Sequence, residues 1–214
     1  MSCKESFNYQ IEYFSKFYRT IAPDLLGFGE SPKIERVYTI DDYVNDIVKF
    51  INELKIEKYH IIAHSFGGRI ALKLATIDKK VDKIIITGGA GLKPKRSLFY
   101  YIRVKLYKVL TKLFRNKDFS FLGSKEYKQI GYLEKRTYVN IVNTYQDDML
   151  KDIKNKVLLI YGKSDSQTPL YMAKKMNKGI KNSRLKVLKG GHFCFIDDAK
   201  TFNEIVLSFL DKEN

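Results

Sequence analysis

Short runs dense in branched apolar residues recur along the chain: Tyr18–Leu25 (YRTIAPDL), His60–His64 (HIIAH), Lys83–Thr87 (KIIIT), Val157–Tyr161 (VLLIY) and Arg184–Leu188. Most lack the alternate polar positions of a strand with one wet face. Between them lie longer stretches with helical spacing. Thr39 or Asp41 can cap a helix reaching about Leu54, with Tyr43, Ile47, Phe50, Ile51 and Leu54 on one face. Others are expected over Lys4–Phe17, from about Gly67 to Ile77, from about Pro169, and over Ala199–Leu210. Near-continuous apolar strands alternating with helices predict an α/β fold, a parallel sheet covered on both faces.

The alternation breaks once, over residues 92–150, which read as all helix. The organisation expected is therefore a core in two parts, residues 1–91 and 153–214, with a helical cap inserted over 92–152. A length of 214 residues with 44% hydrophobic composition suits one domain carrying an insertion. Two cysteines, Cys3 and Cys194, exclude a disulfide scaffold, and no Cys/His spacing suggests zinc. The polar start MSCKESFNYQ has no signal-peptide core, and no window is long and apolar enough to span a bilayer, so a cytoplasmic location is expected.

Net charge is +15, and residues 93–136, with 13 Lys and Arg against three Asp and Glu, hold +10 of it. Phe99, Ile102, Leu106, Val109, Leu110 and Leu113 recur at helical spacing beside Lys105, Lys108, Lys112 and Arg115. The reading taken is a cap helix that turns its apolar face to the site and its lysines to water. It leaves room for weak contact with an anionic membrane. No nucleic-acid module accompanies the charge, so no nucleic acid is expected as partner.

The sharpest local signal is Ala63-His64-Ser65-Phe66-Gly67-Gly68, set directly between a strand and a helix. A serine on such a turn sits on a strained backbone and projects its hydroxyl from the carboxyl end of the sheet, which demands small neighbours. Alone, the pentapeptide also fits a plain strand-to-helix turn. A serine nucleophile needs a base, and the base needs an orienting carboxylate. Of the three histidines, His60 lies inside a strand and His64 precedes the serine, which suits packed or rim histidines. His192 follows the last strand beside Gly190 and Gly191, and Asp165 follows the fourth, so both fall at the sheet edge that carries Ser65. The chain order Ser65, Asp165, His192 matches one known hydrolase architecture. Plain alternatives are a helix-capping role for Asp165 and a turn role for His192.

These segments resemble the α/β-hydrolase family, in particular bacterial hydrolases with a helical cap. Ala22–Pro32 (APDLLGFGESP) is similar to the loop after the family's fourth strand, and Ala63–Ala71 (AHSFGGRIA) to its nucleophile elbow. Leu158–Pro169 (LLIYGKSDSQTP) is similar to the acid loop, and Gly190–Leu210 to the histidine loop and final helix. The resemblance implies Ser65 as nucleophile, His192 as general base then acid, Asp165 as its orienter, and the Phe66 backbone N–H as an oxyanion donor. It implies acyl transfer to water on a small or medium carboxylic ester, without metal or organic cofactor. The alternatives are hydrolysis of a C–C bond in a ring-cleavage product with the same triad, a lipase-like enzyme at membrane surfaces, and a non-catalytic basic interaction module.

Family members begin with about three further strands and a His-Gly segment that supplies a second oxyanion N–H, and this sequence starts near where that segment ends. A truncated sheet of about five strands is expected. Tyr18–Leu25 should either pair directly with His60–His64 or leave a gap of unpaired backbone.

Overall fold

The computed structural model describes residues 3–95 and 131–211, together with 102, 104–106 and 109. The basic stretch Phe99–Arg115 lies largely outside the described residues. The described elements, in chain order, are α1 (Asn8–Phe14), α2 (Ile40–Glu53), β1 (Tyr59–His64), α3 (Phe66–Ile77), β2 (Val81–Thr87), α4 (Tyr132–Asn143), β3 (Lys156–Gly162), α5 (Leu170–Gly179), β4 (Ser183–Leu188), α6 (Cys194–Asp197) and α7 (Ala199–Asp211). A 3₁₀ turn, Lys4–Phe7, leads into α1.

The strands form one sheet in the order β1-β2-β3-β4, and every pairing is parallel. Alternation along β3 shows how both faces are used. Val157, Leu159 and Tyr161 pack with α2, α3 and α5, whereas Leu158 and Ile160 pack with α1, α6 and α7. That two-sided burial is why β3 is apolar from Val157 to Tyr161, whereas β4, at the sheet margin, alternates with Arg184 and Lys186. Helix boundaries follow local chemistry. At α2, the Thr39 hydroxyl accepts the Asp42 N–H at 3.1 Å while the Asp42 carboxylate accepts the Thr39 N–H at 2.7 Å, a reciprocal capping box. Helix α1 is pinned to the far side of the sheet by Gln10, whose amide N–H donates to the Phe195 carbonyl at 2.9 Å.

One expectation fails. Tyr18–Leu25 is not a strand, so the described sheet has four strands rather than about five. This segment has only Ile21 and Ala22 as a central apolar pair, and Arg19, Thr20 and Pro23 are exposed. Proline also removes an N–H that a ladder would need. Of the two outcomes anticipated, the gap is the one found. Tyr18–Leu25 and the free side of β1 line the same cavity, about 1580 Å³, which runs on to the carboxyl end of the sheet. Among the described residues, β1 pairs only with β2. No described helix is long and apolar enough to cross a membrane.

Candidate active site

Ser65 joins the end of β1 to the start of α3 with φ 50° and ψ −111°, a conformation that L-residues avoid. The turn is held by its own carbonyl, which accepts the N–H groups of Gly68 and Ala90, each at 3.0 Å. Small residues are required here because the helix lies close to the next loop. A Cβ on Gly68 would stand 3.0 Å from the Gly89 backbone. Phe66 opens α3, so helix geometry leaves its N–H without an intrahelical acceptor. Its ring is fixed by stacking on Phe28 at 5.7 Å and by the edge of Tyr43 at 5.2 Å.

Asp165 and His192 meet. Asp165 Oδ2 accepts from His192 Nδ1 at 2.9 Å, and the two residues are 6% and 8% exposed. Burial by itself would raise the Asp165 pKa. Donation from His192, the Thr168 N–H and the Thr168 hydroxyl outweighs it, and the carboxyl ends below its usual range. An ionised carboxylate can only accept, so the proton sits on His192 Nδ1 and leaves Nε2 free to act as a base. Asp165 Oδ1 also accepts the N–H groups of Gln167 and Thr168, both at 2.9 Å. Asp165 thus ties its own loop through Oδ1 and His192 through Oδ2; it does not cap α5, whose N-cap is Pro169 with no side-chain cap bond.

Two glycines allow the loops to converge. A Cβ on Gly162, at the end of β3, would lie 2.0 Å from the Gly191 carbonyl, so the acid loop and histidine loop touch backbone to backbone. Lys163 and Ser164 then donate to the carbonyls of Leu188 and Gly190. Gly88 adopts φ 51°, and its missing side chain leaves room for the His192 ring, whose Nδ1 would be 3.1 Å from a Cβ there.

Ser65 and His192 line the same cavity, though no hydrogen bond joins them among the described residues. Unliganded sites often show this bond long or unmade. His64 is a residue whose role sequence reasoning missed. Its Nε2–H donates to the His192 carbonyl at 3.0 Å and its ring lies 4.5 Å from that of His192. Burial, then the neighbouring His192, pushes its pKa down to about 4, so it is a neutral brace for the histidine loop. No sequence signal links residues this far apart. Thr168, which donates to Asp165 Oδ2 at 2.7 Å, was likewise missed. Its position three residues after the acid was the available clue. His60 does not reach this site, and its Nδ1 accepts the Lys83 N–H at 3.3 Å within the sheet. Among the described residues no group of three or more His, Cys, Asp or Glu converges as a metal site.

Ser65 thus stands on a strained strand–helix turn and lines one cavity with His192, whose ring is hydrogen-bonded to a buried carboxylate. The family model described as the alpha/beta hydrolase fold matches residues 3–199. The chain belongs to the alpha/beta hydrolases. This hydrolase is similar to the 2-hydroxy-6-oxo-2,4-heptadienoate hydrolase of Pseudomonas putida, 23% identical over 225 residues that cover 94% of this chain and 81% of the relative. A second Pseudomonas putida enzyme, a 2-hydroxy-6-oxononadienedioate/2-hydroxy-6-oxononatrienedioate hydrolase, is 27% identical over 241 residues, covering 96% and 82%. Among solved structures, a meta-cleavage product hydrolase from Pseudomonas fluorescens IP01 superposes with a TM-score of 0.76 at 25% identity, covering all of this chain and 87% of the other. An esterase from Exiguobacterium antarcticum superposes with a TM-score of 0.78 at 24% identity, covering 99% and 88%, and shares the fold.

Proposed function

We propose that this hydrolase cleaves a C–C bond next to a ketone in a conjugated oxo-acid of the ring-cleavage type, with Ser65, His192 and Asp165 as its relay. What supports the reading is the Asp165–His192 hydrogen bond, with Ser65 and His192 both lining one cavity, in a chain matched nearly end to end by dienoate hydrolases.

In the reaction, His192 Nε2 takes the Ser65 hydroxyl proton as Oγ adds to the ketone carbon. The Phe66 N–H donates to the oxyanion that forms. Collapse of this adduct breaks the neighbouring C–C bond. In the keto tautomer of the substrate, reached by moving the dienol proton to the carbon beside the ketone, the bonding pair passes into the conjugated enone of the leaving fragment, which takes the proton from the His192 imidazolium. The remaining acyl group stays as an ester on Ser65. Water, deprotonated by His192, hydrolyses that ester and releases a carboxylic acid and free Ser65. Asp165 holds His192 in the required tautomer throughout.

Carboxylic ester hydrolysis is the second reading, since the same acyl-enzyme forms from an ester carbonyl with an alkoxide leaving group. One experiment separates the two. Purified protein is given a 2-hydroxy-6-oxo-dienoate and p-nitrophenyl butyrate in parallel, with Ser65→Ala as control. Loss of dienoate absorbance with little nitrophenolate release supports C–C cleavage, and the opposite supports an esterase. Hydrolysis unchanged by Ser65→Ala, or no labelling of Ser65 by a fluorophosphonate, sinks the shared mechanism.

A further inference from the structure

Arg69 is the one residue lining the cavity whose charge the catalytic reading leaves unexplained among the described buried groups. It lies on α3 four residues after Ser65, on the same helix face and about 6 Å along the axis. It is 7% exposed. Its Nη1–H donates to the carbonyl of Thr144, which ends α4, and no other hydrogen bond of its guanidinium is found among the described residues. The ion pairs of the described residues do not include it. Burial lowers its pKa from the usual arginine value, and the neighbours acting against that are the phenols of Tyr145 and Tyr138, not a carboxylate.

A guanidinium has five donors and a permanent charge. Among the described residues one donor is used, and the charge is offset by the carbonyl end of a helix. Arg69 lines the cavity shared with Ser65 and His192, and among the described residues the side-chain polar atoms sealed from solvent without a partner are Gln10 Oε1 and Gln146 Oε1, not its guanidinium nitrogens. A buried cation without a counter-charge is costly unless an anion arrives. The fork geometry suits a carboxylate, which it can grip with two parallel hydrogen bonds.

We propose that Arg69 sets substrate specificity by binding a carboxylate that lies an extended chain away from the carbonyl reacting at Ser65. This rests on the hydrolase reading of the cavity and assigns the residue that holds the carboxylate of the oxo-acid proposed above. The contact to Thr144 would by itself make Arg69 a structural tie, so the test must read charge discrimination rather than activity alone.

Two esters differing in charge provide it: p-nitrophenyl hydrogen glutarate and its methyl ester. The wild-type protein is expected to favour the acid in kcat/KM. Arg69→Gln should lower kcat/KM for the acid about 10- to 100-fold, mostly through KM, and change the methyl ester about twofold at most. Arg69→Lys should restore part of the preference. Glutarate should inhibit the wild-type enzyme competitively and raise its melting temperature, and lose both effects in Arg69→Gln. A wild-type enzyme indifferent to substrate charge and to glutarate overturns the proposal, whether or not the variant folds. Equal loss on both esters in Arg69→Gln overturns it too. If neither ester is turned over and Ser65 resists a fluorophosphonate, the hydrolase reading fails. Arg69-dependent stabilisation by glutarate would then still support the anion site.

Discussion

Replacing Asp165 with Asn tests whether its carboxylate orients His192, because the structure dictates how the amide must sit. Oδ1 accepts two backbone N–H groups, from Gln167 and Thr168, at 2.9 Å each. Backbone donors cannot turn away, so the amide oxygen of Asn takes that place. The amide nitrogen then occupies the Oδ2 position, 2.9 Å from His192 Nδ1 and 2.7 Å from the Thr168 hydroxyl. It can only donate, which obliges Nδ1 to accept and moves the imidazole proton to Nε2. A ring protonated at Nε2 cannot take the proton of Ser65. In a serine triad that tautomer error costs about 10⁴-fold in kcat, equivalent to roughly 5.5 kcal/mol of barrier. The fold should be almost unaffected, since the amide replaces the carboxylate with the same shape and keeps both backbone bonds. The assay is the second-order rate of fluorophosphonate labelling at Ser65, which needs no knowledge of the substrate, run beside a thermal melt. A labelling rate within about tenfold of wild type, with the melt unchanged, would refute the orienting role.

Gly88→Ala should place a methyl 3.1 Å from His192 Nδ1 on a backbone with φ 51°. The strain costs about 1–2 kcal/mol of stability, and an ångström of ring displacement costs about 10²-fold in turnover; unchanged kcat in steady-state assays would contradict the packing described. His64 has its pKa depressed to about 4 in the folded protein, against about 6.5 when unfolded. The unfolded chain therefore binds the proton first as pH drops, and stability is lost between about 6.5 and 4, by roughly 3 kcal/mol for this group. Urea unfolding at pH 7 and pH 4.5 should show that loss in wild type and a smaller one in His64→Gln, which keeps a donor for the His192 carbonyl; equal losses would dismiss His64 as the source.

The strands around the site were readable because a parallel sheet buries both faces, and HIIAH, KIIIT and VLLIY can hardly be anything else. That Ser65, Asp165 and His192 fall at one edge of the sheet was readable because each follows a strand, and a parallel sheet delivers all its carboxyl ends to one edge. Tyr18–Leu25 misled for a related reason. Its apolar residues face a cavity, and periodicity reports that a residue meets apolar surroundings without saying that its backbone finds a ladder partner. The roles of His64 and Arg69 were hidden because they depend on contacts across 128 and 75 positions of chain. Nothing local in AHSFGGR distinguishes a brace or an anion anchor from helix filling.

The three groups of the proposed relay are rooted at unequal depths in the sheet. Asp165 follows β3, clamped by a neighbour on each flank, whereas Ser65 follows β1, whose outer flank bonds to nothing among the described residues. Margins of a sheet breathe more freely than its middle. Thermal excursions should therefore alter the separation of hydroxyl and imidazole before they disturb imidazole and carboxylate. Deuterium uptake should be quick at Ile62 and slow at Leu159, and a ligand filling the cavity should retard the first far more than the second.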